Sequence, residues 1–182
     1  MSRIVIIGNA GGGKSTLARA IAIGRHVAHF EIDRLLWQPG WHPTPKPTYD
    51  AEHAKAIAKD AWLIDGLGRQ DSIAPRLDRA TTVILIDMPV WMHFWLAAER
   101  QIHWRHGSLD HPPGNLHDMP PTEAVFRTIW EVDQNWMPMI RDLCRRAERA
   151  GKQTHRLKSV AELNAFSQQF SPPLPAATGN HP

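Results

Sequence analysis

The chain has little cysteine and no long apolar run, and each scarcity excludes something. Cys144 is the one cysteine in 182 residues, so an intramolecular disulfide and a cysteine zinc site are both ruled out. That usage fits a reducing compartment and predicts a cytoplasmic protein. No apolar stretch approaches the roughly 20 residues that cross a bilayer, so no membrane span is expected. A strand is expected almost at once, at Arg3 to Ile7, so no leader peptide is expected, and no internal repeat occurs. What is present, 42% hydrophobic residues, can bury one substantial core. One domain over residues 1–170 is therefore expected. The formal charge of +3 suits small anions and nucleic acid equally.

Ile4 to Ile7 is a continuous β-branched run closed by Gly8, the pattern of a strand buried on both faces. Leu17, Ala18, Ile21 and Ala22 then recur at helical spacing up to Gly24, where a left-handed residue can close the helix. Further strands are expected at Val27 to Asp33, Trp62 to Ile64, Thr82 to Ile86 and Gln153 to Leu157. Prolines from Pro39 to Pro47 predict a stiff irregular loop, after which Asp50 can cap a helix through Lys59. A helix over Trp91 to Trp104 leads into the proline- and glycine-rich stretch Gly107 to Pro121, composed like a lid; the lid region spans about 100–121. Thr122 can cap a helical stretch to Ala150 that Pro138 should break or kink, and Ser159 to Glu162 is a capping box opening a last helix to Phe170. Ser171 to Pro182 lacks periodicity and is expected to be a disordered tail. Alternating strands and helices predict an α/β fold with a parallel sheet covered on both faces. Ligands of such folds lie at the carboxyl ends of the strands, where Gly8, Asp33, Asp65 and Asp87 fall.

The sharpest signal is the run Gly8, Asn9, Ala10, Gly11, Gly12, Gly13, Lys14, Ser15, Thr16. It satisfies GxxxxGK[ST] between a buried strand and an amphipathic helix, the context in which that pattern holds phosphates. Glycines let successive amides converge on phosphate oxygens, and the helix start adds its positive dipole end. Lys14 supplies a full charge for the β and γ phosphates, and Ser15 a hydroxyl for magnesium, which prefers oxygen ligands. The cofactors expected are ATP and magnesium.

Together with this loop, Trp62-Leu-Ile-Asp65-Gly66 through Arg69 resembles the strand-end Asp-Gly motif of adenylate kinases and the nucleotide-binding arginine after it. His29 to Trp41, with Asp33, Trp37, Pro39, Gly40 and Trp41, resembles the matching stretch of bacterial DNA topology modulation proteins (FlaR-like), relatives of adenylate kinases. The resemblance implies a three-layer P-loop nucleoside triphosphate hydrolase fold with a five-stranded parallel sheet in the order 2-3-1-4-5. It also implies ATP binding and a kinase-like architecture with a short lid. Gly68 stands where adenylate kinases have proline, and Glu99 and Gln101 flank Arg100 where the family's lid helix is richer in arginine.

Phosphoryl transfer rests on positioning and charge neutralisation, so its residues should be cations, magnesium ligands and at most one base. Asp65, placed beside the P-loop strand by the resemblance, is the expected acid for magnesium together with Ser15; Asp87 is the second choice, or else a helix cap. Asp33 either takes the proton of an attacking hydroxyl, binds the acceptor, or caps Arg34 to Trp37. Arg100 and Arg105 precede the lid and can close over the γ phosphate beside Lys14. Gly66, Arg69 and Trp37 are candidate acceptor contacts, with Trp37 and Trp41 able to stack on a ring or simply pack. His103, His106, His111 and His117 match no compact metal pattern. Arg141, Arg145, Arg146, Arg149 and Lys152 form a basic helix face, which could meet nucleic acid but reads better as solvated surface. These features suggest a phosphotransferase that moves the γ phosphate of ATP to a nucleotide, nucleoside or other small acceptor. The alternative is an ATP-dependent regulator affecting DNA topology.

Overall fold

The computed structural model describes residues 2–109 and 118–170. Part of the lid, at 110–117, and the tail expected at 171–182 lie outside the described residues. The chain runs β1 (Arg3–Gly8), α1 (Lys14–Arg25), β2 (His29–Glu31), α2 (Ile32–Leu36), β3 (Trp37–Gln38), β4 (His42–Pro43) and α3 (Lys46–Ala58). It continues with β5 (Trp62–Asp65), α4 (Ile73–Arg79), β6 (Thr82–Ile86), α5 (Val90–Arg105), α6 (Thr122–Glu131), α7 (Met137–Arg149), β7 (Gln153–Leu157) and α8 (Val160–Gln168).

Five strands pair in parallel in the order β2-β5-β1-β6-β7, and β3 and β4 form a separate antiparallel pair. The expected order is met in part, because it left no place for β3 and β4. On β1, alternate residues divide between two cores, as the two-residue period of a strand requires. Val5 and Ile7 pack with Tyr49, Ile73, Leu77 and Ile140 from α3, α4 and α7, whereas Ile4 and Ile6 pack with Leu17, Ile21 and Leu163 from α1 and α8. The layers are thus helix, sheet, helix, with β1 at the centre and buried from Ile4 to Gly8. Each fully buried Ile or Val contributes about 1.5–3 kcal/mol, which secures the strand whose end carries the loop.

Several boundaries differ from expectation. α1 runs past Gly24, and its left-handed terminal residue is His26 (φ 50°). Strand β2 is shorter than expected, and Asp33 lies in the first turn of α2 rather than on the strand. α3 begins at Lys46, not after Asp50, because Pro47 sits in the first turn where no amide is needed; Asp50 instead accepts a hydrogen bond from Lys46. Thr122 makes no side-chain cap. Pro138 is accommodated at the start of α7, directly after a π turn at Val132–Trp136. The Ser159 cap forms as read, its hydroxyl accepting from the Glu162 amide at 3.1 Å, while Glu162 reaches back to the Lys158 amide. Among the described residues, no helix is long and apolar enough to cross a membrane.

Candidate functional site

The loop between β1 and α1 wraps the amino end of α1, with Gly11 and Gly13 turning at φ 75° and 76°. Its shape is pinned from outside. Asn9, buried, accepts from the Ala10 amide through Oδ1 (2.7 Å) and donates from Nδ2 to the Ile129 carbonyl of α6 (2.8 Å). Its side chain is therefore a strut between loop and helix. His93 on α5, also buried, donates from Nδ1 to the Ala10 carbonyl at 2.9 Å. Burial pushes the His93 pKa down, with the Lys14 charge adding to the effect. Neither strut was visible in the sequence, since the partners lie 120 and 83 residues away.

Lys14 lies across this loop, its ammonium donating to the Asn9 carbonyl at 2.7 Å. Burial lowers its pKa, and Asp33 and Asp65 oppose that shift. Ser15 Oγ donates to Asp65 Oδ2 at 2.6 Å, so the serine and aspartate expected at one magnesium site do meet. Two hard oxygen donors side by side, next to a phosphate loop, fit that ion. Asp65 is almost wholly buried, and its other oxygen, Oδ1, is held by His29 Nε2 at 2.7 Å. Among the described residues no three His, Cys, Asp or Glu side chains form a metal cluster; His111 and His117 lie outside the described residues. Thr16 is exposed at the start of α1.

Asp33 stands across from Lys14. Although the residue keeps an exposed edge, burial of its carboxyl raises its pKa, against the pull of Lys14 and of the Gly68 amide that donates to Oδ1 at 3.1 Å. Close approach of this loop requires glycine. A Cβ on Gly66 would stand 2.7 Å from Asp33 Oδ2, and a Cβ on Gly68, which turns at φ 62°, would collide with the Tyr49 hydroxyl. The amide that Gly68 supplies is one that proline lacks. The backbone of Arg69 is then fixed by a closed ring. Its amide donates to Tyr49 Oη (3.1 Å), Tyr49 bonds Ser72 Oγ (2.9 Å), and Ser72 donates to the Arg69 carbonyl (2.7 Å). The Arg69 guanidinium, half-buried, lies 5.9 Å from the Tyr49 ring centroid.

Arg100 is half-buried on α5, and burial lowers its pKa while Asp33 raises it. Lys14 in turn feels the Arg100 charge, so the loop lysine, Asp33 and Arg100 share one electrostatic field. Arg105, one turn on, is exposed and is not brought into this group. Arg76 of α4 was missed altogether. It is wholly buried beneath the site, donates to the Leu67 carbonyl at 2.9 Å, and its charge helps hold Asp33 as carboxylate.

Trp37 and Trp41 pack edge-on at 5.9 Å, and Trp41 meets Trp104 of α5 at 6.3 Å. Trp37 is half-buried in that cluster, which is the packing alternative read for it. Asp87 caps no helix with its side chain. Its buried carboxylate takes Arg141 on one oxygen and Arg156 on the other, tying α7 to β7. Arg145 and Arg146 pair with Asp142, and Lys152 donates to the Leu77 and Asp78 carbonyls at the end of α4. Much of the basic face is therefore engaged within the molecule.

The sequence matches no protein-family model and no curated protein. Solved structures do share its architecture. A gluconokinase from Sinorhizobium meliloti 1021 is 14% identical with a TM-score of 0.53, over 93% of this chain and 89% of that one. A shikimate kinase from Bacteroides thetaiotaomicron is 12% identical with a TM-score of 0.57, over 92% and 95%. At such identities the likeness is one of fold: this chain has the P-loop kinase-like fold.

Proposed function

We propose that this chain is an ATP- and magnesium-dependent kinase that transfers the γ phosphate to a hydroxyl of a small acceptor. The observation that carries it is the convergence of Lys14, Ser15, Asp65, Asp33 and Arg100 at the carboxyl ends of β1 and β5. The loop amides and Lys14 bind the triphosphate, and Ser15 with Asp65 would hold magnesium, which supplies further neutralisation of phosphate charge. Asp33 accepts the proton as the acceptor oxygen bonds to the γ phosphorus; the bond from that phosphorus to the β–γ bridging oxygen breaks, and ADP leaves. Arg100 steadies the charge spread over the moving phosphoryl group.

Asp33 favours an alcohol over a phosphate as the nucleophile. A nucleotide phosphate is already anionic at neutral pH, needs no base, and would be repelled by a neighbouring carboxylate. Arg69 and Gly66 border the same side and would orient the acceptor, Arg69 through an anionic substituent away from the reacting oxygen. The resemblance of His29 to Trp41 to DNA topology modulation proteins keeps an ATP-dependent regulator as the second reading. Because Arg141, Arg145 and Arg146 of α7 pair within the molecule, a small acceptor is preferred to nucleic acid.

ADP release should be measured across polyols, sugar acids, cyclic hydroxy acids, nucleosides and nucleoside monophosphates. Stimulation by a hydroxyl compound is expected, and Asp33→Asn should lower kcat about 10²- to 10⁴-fold while ATP affinity stays within about twofold. Stimulation by monophosphates alone, or unchanged turnover in the variant, would remove Asp33 from the mechanism. Salt-sensitive DNA binding that ATP alters, without any transfer, would favour a regulator.

A further inference from the structure

His29 has no part in the chemistry above, yet it makes one of the two hydrogen bonds that orient Asp65. It sits on β2 opposite Leu63 in register, and Leu63 and Asp65, two residues apart, share the sheet face that α1 covers. The imidazole reaches forward along that face to Asp65 Oδ1 at 2.7 Å, while Ser15 takes Oδ2 at 2.6 Å. The carboxylate is only 2% exposed and the histidine side chain 13%, so water competes little for either oxygen. Donors on opposite oxygens fix the plane of a carboxylate, because rotating it about its side-chain bond breaks one contact or the other. Without the histidine, Asp65 would be free to turn Oδ1 toward Ser15 or to swing away from the loop.

We propose that His29 is a positioning residue of the metal–triphosphate site: its Nε2–H anchors Asp65 Oδ1 so that Oδ2 stays directed at Ser15. This rests on the reading of Ser15 and Asp65 as the magnesium-holding pair. A group behind a metal-associated side chain commonly changes metal affinity about 10- to 100-fold when removed.

The test compares His29→Gln, whose amide can place a donor near the position of Nε2, with His29→Asn, whose shorter amide falls short. Calorimetry would give ATP affinity in excess magnesium and in EDTA, so that the ratio isolates the metal-dependent part without any turnover. His29→Asn is expected to lower that ratio at least about tenfold with EDTA affinity within about twofold, and His29→Gln to restore most of it. An unchanged ratio in His29→Asn overturns the proposal. So does an equal loss in both variants, or an equal loss with and without magnesium, each of which marks a purely structural role. If the unaltered protein binds ATP no better with magnesium than with EDTA, the reading of the Ser15 and Asp65 pair falls, and this inference with it.

Discussion

At the scale of single residues, Gly68 joins backbone geometry to the candidate base. Its φ of 62° is a region that side chains rarely adopt, a Cβ there would collide with the Tyr49 hydroxyl, and its amide serves Asp33. Gly68→Ala is therefore expected to destabilise the fold by about 1–3 kcal/mol and to open the ring that clamps Arg69. Thermal unfolding should show a midpoint lower by several degrees; an unchanged midpoint would mean that the loop relaxes freely. The phosphate loop was legible because its residues are neighbours in sequence, so spacing alone carries the geometry. Asp65 was legible from its place at the end of β5 together with the resemblance, whereas Asp33, expected to end β2, lies in the first turn of α2. His29, His93, Tyr49 and Arg76 were not, because each works through a partner that only the fold brings near: His29 and Asp65 are 36 residues apart, and His93 and Ala10 are 83 apart.

At the scale of elements, α5 is the part of the molecule that meets both halves of the site. His93 and Ala97 press on the phosphate loop, where a Cβ added to Gly11 would touch both. Arg100 follows one turn later, and Trp104 after another meets the tryptophan pair of the β3–β4 region. Trp41 in turn donates from Nε1 to the Asp118 carbonyl at 2.9 Å, so this packing reaches the chain that follows residues 110–117. The sequence offered both Arg100 and Arg105, with Arg100 preferred, but spacing alone does not say which side of a helix faces a ligand. In the fold only Arg100 is buried toward Asp33 and Lys14. Arg100→Ala should lower kcat on the order of 100-fold or more, as loss of a transition-state donor does, whereas Arg105→Ala should stay within about twofold. Steady-state kinetics with the same acceptor decide it, and equal effects would return Arg105 to the mechanism. Other elements were hidden by prolines. Pro47 hid the first turn of α3, because it occupies a position where the missing amide costs nothing; α4, with Pro75 likewise in its first turn, was not expected.

At the scale of the whole molecule, histidines packed in the helical layers and the carboxyl of Asp33 at the site shift in ways that act on stability with opposite signs. His53, stacked on Tyr49 in the α3 layer, is held by burial, with help from the Arg76 charge, at a pKa of about 4 instead of 6.5. Burial lowers His93 and His155 in the same direction. Above about pH 6.5 such a histidine is neutral whether the chain is folded or not, and its contribution is fully present. Between that value and about 4 the unfolded chain takes up a proton that the folded one refuses, so stability is lost as pH falls. Asp33 works the other way: its raised pKa lets the folded chain bind a proton before the unfolded one does, which offsets part of the loss in acid. His53→Phe keeps a ring against Tyr49 and removes the proton. Its melting temperature should accordingly fall less than that of the unaltered protein between pH 7 and pH 5, with the difference between the two proteins greatest at the acid end. Parallel curves would mean that His53 takes up its proton in the folded chain at its ordinary pKa, and the acid sensitivity of the fold would then have to come from the two other histidines and the paired carboxylates.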